Sequence, residues 1–144
     1  MLYTAELNDN ERWGFQTNPV AKIVYKHEFF DITVRNIGTR LITTITPDGN
    51  IIIKEYRGGS RKVYSTRKFS CTTEDFVDLC KQFETCINTA TKWDWYVDDS
   101  GADLHIIYKY GREQTVDRGL GNSDTNIAKI FYEFLEKLSI EMWG

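Results

Sequence analysis

Three stretches of the chain combine residue types that bind or react. The first, Arg57 to Lys68, carries Arg57, Arg61, Lys62, Arg67 and Lys68 with no acid among them, next to Tyr56 and Tyr64. Positive charge for phosphates and aromatic rings for bases are what single-stranded nucleic acid requires, so Arg61, Lys62, Arg67 and Lys68 are candidate nucleic-acid contacts. The plainer alternative is an edge strand, on which Lys and Arg discourage pairing with another chain. The second stretch, Trp93 to Asp103, gathers Trp93, Trp95 and Tyr96 with Asp94, Asp98, Asp99 and Asp103. Exposed Trp and Tyr anchor protein interfaces, which makes Trp93, Trp95, Tyr96, Asp98 and Asp99 candidate partner contacts; core tryptophans beside a polar turn are the simpler reading. Carboxylates also hold divalent cations, but Asp98-Asp99-Ser100-Gly101 lacks the alternating order and the closing Glu of an EF-hand loop, so no metal is expected.

In the third, Arg112 and Arg118 flank a turn containing Gly119 and Gly121 that leads into a helix start. Free backbone N–H groups, the helix dipole and two guanidinium groups would capture an anion. The stretch has no Gly-Lys-Ser/Thr and no G-x-G-x-x-G, so no nucleotide cofactor is implied. For catalysis the chain offers His27, His105, Cys71, Cys80 and Cys86. Cys71, just before a helix start, is the one thiol that a helix dipole would activate. Nothing in the spacing brings it to a histidine, and no catalytic residue is assigned.

These residues need elements to hold them. Leu41 to Thr46 and Ile51 to Tyr56 are β-branched runs joined at Pro47-Asp48-Gly49-Asn50, a strong hairpin signal because Gly supplies positive φ. Ala21 to Lys26 and Asp31 to Arg35 alternate as strands, and Arg61 to Phe69 is a third strand after the hairpin. Phe76, Leu79, Cys80, Phe83 and Ile87 fall on one stripe of a helix over Thr73–Thr89, capped by Thr72 with Asp75 three residues on. A second cycle follows: a strand candidate at Trp93–Val97, strands at Leu104–Tyr110 and Glu113–Val116, then a helix over Asp124–Ile140 capped by Ser123 or Asp124. The expected fold is α+β, a mainly antiparallel sheet with two amphipathic helices on one face, in a single domain over residues 1–144. The units Leu41–Ile87 and Leu104–Ile140 also admit a degenerate hairpin-helix repeat, although residue identity between them is poor.

Composition narrows the function classes. A net charge of −3 over 144 residues disfavours general nucleic-acid or anionic-membrane binding, which both draw on clustered positive charge. No apolar run reaches the ~20 residues of a membrane-spanning helix, and the start of the chain has no signal-peptide pattern. Three cysteines, none in a Cys-x-x-Cys pair, suit reduced thiols in the cytoplasm. The expected protein is a non-enzymatic protein-binding module of inhibitor, immunity or adaptor type, without cofactor. Its partner would be another protein, and homo-oligomerisation stays open. The alternatives are a small enzyme or anion-binding domain at the Arg112/Arg118 turn and, third, a nucleic-acid binder.

Overall fold

In the computed structural model, which describes residues 19–31, 37–89, 101–117 and 126–142, the hairpin around Asp48-Gly49 forms as its sequence requires. It joins β2 (Ile37–Ile45) to β3 (Asn50–Arg57) through Pro47, Asp48 and Gly49. The Gly49 N–H donates to Thr46 O at 2.9 Å, and Gly49 sits at φ +89, where a Cβ is disfavoured. Asp48 accepts from the Thr46 hydroxyl and the Asn50 side chain, and the Thr46 bond, the largest influence, holds its carboxyl below the ordinary range. A second hairpin, β5 (Gly101–Tyr108) to β6 (Glu113–Asp117), turns on Gly111 at φ +77 in the same way, with Tyr108 N–H donating to Arg112 O.

One long strand, β1 (Val20–Asp31), lies between the two hairpins. It pairs antiparallel with β2 on one side, His27 opposite Leu41, and with β5 on the other, His27 opposite Ala102. With β4 (Ser65–Ser70) beside β3, the sheet has six strands in the order β4-β3-β2-β1-β5-β6, every pair antiparallel. The two short strands expected at 21–26 and 31–35 are in part this one strand; 32–36 lie outside the described residues. β4 is shorter than the expected Arg61–Phe69, because Gly58 and Gly59 both take positive φ and curl the chain before it can pair.

α1 (Thr73–Thr89) begins where its cap predicts. Asp75 N–H donates to the Thr72 hydroxyl at 3.0 Å and Thr72 N–H to the Asp75 carboxylate at 3.1 Å, a reciprocal box that satisfies two helix-end donors. α2 (Ile127–Lys137) is shorter than the expected Asp124–Ile140. Its cap is Asn126, whose side chain accepts from Lys129 N–H at 3.0 Å. Its end is fixed by Ser139 at φ 57, with Ser139 N–H to Glu136 O and Ile140 N–H to Leu135 O. That pairing is a Schellman stop, and it tucks Ile140 into the core as a non-helical residue.

Both helices cover one face of the sheet. Leu79, Cys80, Phe83 and Ile87 of α1 and Ile127, Phe131 and Leu135 of α2 bury against Ile23, Tyr25, Leu41, Ile45, Ile51, Ile53, Leu104 and Ile106. Tyr25 stacks on Phe131 with ring centroids 3.9 Å apart. The fold is therefore α+β with mainly sheet. No described helix is long and apolar enough to cross a membrane.

Candidate helix-free sheet face

Side chains alternate across a strand, so residues between the core positions project to the face opposite the helices. They are Lys22, Val24 and Lys26 on β1, Ile42 and Thr44 on β2, Ile52, Lys54 and Tyr56 on β3, Lys68 on β4, and His105 and Ile107 on β5. Register sets them in rows: His105, Val24, Thr44, Ile52 and Lys68 across five strands, and beside it Asp103, Lys26, Ile42 and Lys54. Val24, at the centre, is only 9% exposed, and Ile42, Thr44, Ile52 and Ile107 are half-buried. Lys22, Lys26, Lys54 and Lys68 are exposed, and none enters an ion pair among the described residues. The face is thus an aliphatic centre framed by lysines over β1–β4. Its acids lie to the side, Asp103 and Glu113 on β5–β6 and Glu28 further along β1. His105 meets the Glu113 carboxylate at 3.0 Å through Nδ1, with the Thr115 hydroxyl 3.2 Å from the same nitrogen.

The basic tract 57–68 does not present one surface. Arg57 pairs with the buried Glu55 at 2.5 Å and lies 3.5 Å over the Tyr64 ring; Arg40 donates to Ser60 O and lies over Tyr56. Both arginines therefore brace the β3–β4 connection. Arg61 and Lys62 stand exposed on that connection, outside any strand. Arg67 and Lys68 point to opposite faces of β4. Arg67 turns to the helix side, where its guanidinium donates to Glu141 O at 2.6 Å and to Met142 O, tying the edge strand to the chain beyond α2.

Arg112 closes the β5–β6 turn, its guanidinium 5.6 Å over the Tyr108 ring. Arg118, Gly119 and Gly121 lie outside the described residues, as do Trp93, Trp95, Tyr96, Asp98 and Asp99. Burial pushes Cys80 up to about 12 and Cys86 to about 11. Burial, and then the Asp75 carboxylate, also raise Cys71, opposite to the activation its place before the helix suggests. Loss of solvent and the neighbouring acid both disfavour the thiolate. His27 is buried beneath α2, where its Nδ1 and the Tyr132 hydroxyl lie 3.0 Å apart. Among the described residues no three His, Cys, Asp or Glu side chains converge on a metal position.

No model of a known protein family matches the chain, and no characterised protein is significantly similar to it in sequence.

The aliphatic centre of this face leaves a signal in the sequence, though not in any one residue. Ile51-Ile52-Ile53 and His105-Ile106-Ile107 do not alternate cleanly, whereas an antiparallel strand with one face in water does. Apolar residues at the positions between the core ones mark a second face that is only partly wet.

Proposed function

We propose that the protein is a non-enzymatic module, of inhibitor, immunity or adaptor type, that binds another protein through the helix-free face of its sheet. The observation that carries this reading is the cluster of aliphatic side chains, Val24, Ile42, Ile52 and Ile107, on the face that neither described helix covers. A single exposed aliphatic needs no explanation, but a contiguous group with a charged rim is the composition of a docking surface. The setting that fits the reduced thiols is the cytoplasm. Among the described residues the contact between His105 and Glu113 is the feature that favours catalysis, since a carboxylate-oriented imidazole is a general base. The hydroxyl beside it, Thr115, meets the same ring nitrogen as the carboxylate, and Cys71, Cys80 and Cys86 all pack toward the core on the other face.

The test is cross-linking and affinity capture from the native host with wild type, Ile42→Asp/Ile52→Asp and Trp93→Ala/Trp95→Ala, each checked for folding by circular dichroism. A partner held by wild type and lost by the folded isoleucine variant is the expected result. A partner retained by that variant, and lost only when the tryptophans change, moves the site to the Trp93–Asp103 stretch. Absence of any specific partner rejects the reading.

A further inference from the structure

We infer that the segment docked on the helix-free face is acidic and aliphatic, its carboxylates received by Lys22, Lys26, Lys54 and Lys68. This rests on the protein-binding reading and adds the chemistry of the partner. The four lysines surround the aliphatic centre on different sides. Lys22 and Lys26 stand two residues either side of Val24 on β1, Lys54 lies across Ile42 from Lys26, and Lys68 lies beside Ile52. Two strand spacings separate Lys26 from Lys54, roughly 10 Å, so one apolar segment fits between them with acids reaching both ways.

The charges are available for a partner. All four lysines are exposed and unpaired among the described residues, even Lys26, which stands directly opposite Asp103 in the register. The chain as a whole is at −3, so a face with four such cations departs from the average of the molecule and steers acidic surfaces toward it. The acids of the face, Asp103 and Glu113 on the β5–β6 flank and Glu28 further along β1, lie outside the aliphatic centre, so a docked segment places its negative groups over the lysines of β1–β4 and away from those acids.

The same lysines would attract nucleic acid, and the centre of the patch decides against it. Bases stack on aromatic rings, whereas Val24, Ile42 and Ile52 are aliphatic, and the Arg40 guanidinium lies over the Tyr56 ring, 5.0 Å from its centroid. Aliphatic surface with a cationic frame matches acidic protein.

The experiment selects a phage-displayed random peptide library on the immobilised full chain, with a poly(U) oligonucleotide as a second probe. Three variants accompany wild type, all verified as folded: Lys22→Glu/Lys26→Glu/Lys54→Glu/Lys68→Glu, the same four positions changed to Arg, and Ile42→Asp/Ile52→Asp. The expected result is enrichment of peptides rich in Asp or Glu with Leu, Ile or Val. Their binding should weaken roughly tenfold or more in the Glu variant, persist in the Arg variant and fall with added salt. Enriched peptides without acidic bias that still require Ile42 and Ile52 overturn the acidic class and leave the protein-docking face standing. Poly(U) binding with no enriched peptide, or no binding of either probe, overturns both. Self-association of the chain alone, abolished by the Glu variant, assigns the face to a second copy and likewise overturns the inference.

Discussion

The backbone carbonyl oxygen of Cys71 lies 2.0 Å from where a Cβ on Gly49 would stand. The two residues also share a hydrogen bond, Cys71 N–H to Gly49 O at 2.8 Å, so the hairpin loop and the entry to α1 are locked backbone to backbone. Gly111 occupies the matching place in the other hairpin at a similar φ, yet nothing lies within 4 Å of its absent Cβ. The pair separates conformational cost from steric cost. Gly111→Ala should destabilise by about 1–2 kcal/mol, the penalty of left-handed backbone. Gly49→Ala adds a clash with rigid main chain and should cost roughly 2–5 kcal/mol. Urea unfolding of both variants checks the order; equal losses would show that the Cys71 carbonyl gives way freely.

Asp75 gives the fold an acid-sensitive joint. The Thr72 N–H bond first, then the Lys137 ammonium 3.2 Å away, hold its carboxyl below its ordinary 3.8. A lowered folded value means the stabilisation is full above about 3.8 and is lost as pH falls through the lower value, when the carboxylate that binds Thr72 and Lys137 is neutralised. Asp75→Asn should therefore lower stability at neutral pH and flatten the decline between pH 5 and about 2. Thr72→Ala should cost about 1 kcal/mol with the acid slope reduced as well. Unfolding midpoints measured across that range decide; an unchanged slope in Asp75→Asn would assign the acid limb to other carboxylates.

The thiols sort by burial. At pH 8 the native protein should leave Cys80 and Cys86 unmodified by a disulfide reagent, and all three cysteines should react in urea. Raised folded values place their stabilising effect below the ordinary 9, and it is lost as pH rises from there toward about 11 and 12. Tyr108, pushed up to about 12 by burial, adds to the same alkaline loss from about 10 upward. Rapid labelling of Cys80 in the native state would contradict its place between the helix and the sheet.

Arg67 distinguishes a structural cation from available ones. Its two bonds to Glu141 O and Met142 O fix the chain after α2 against the sheet edge, so Arg67→Ala should lower stability by roughly 1–3 kcal/mol. Arg67→Lys should recover only part of that, because an ammonium lacks the planar fork that serves two carbonyls. Arg61→Ala, Lys62→Ala and Lys68→Ala should stay within about 0.5 kcal/mol of wild type. Thermal unfolding of the five variants tests the division.

Much of the architecture was legible because it is encoded locally. Thr72 and Asp75 form the box their spacing implies, and Asp48-Gly49 makes the turn its residue types demand. Where three-dimensional context decides, local signals mislead. Ser123 and Asp124 are good caps in isolation, but Asn126 directly precedes the buried Ile127 and takes the role. Ile140 continues the apolar spacing of α2, yet Ser139 stops the helix beforehand and the isoleucine packs as a tail. The basic tract looked continuous as sequence, whereas β4 separates Arg67 from Lys68 by the alternation of a strand. Which half-apolar positions share the helix-free face depends on register between strands far apart in the chain, and register is not written in any one of them.

The central position of β1 also shapes how the protein is made. Its pairing with β2 forms within a single hairpin, but its other partner, β5, is synthesised only after α1. Until then β1 is an open border of the nascent sheet, with a row of unsatisfied N–H and C=O groups ready to accept any extended segment. A strand paired on both sides in the finished molecule is thus an edge during synthesis. Lys22 and Lys26 stand along that border as gatekeepers while it waits. A message truncated before Gly101 would yield a sticky four-stranded sheet that pairs with its neighbours rather than a smaller stable protein.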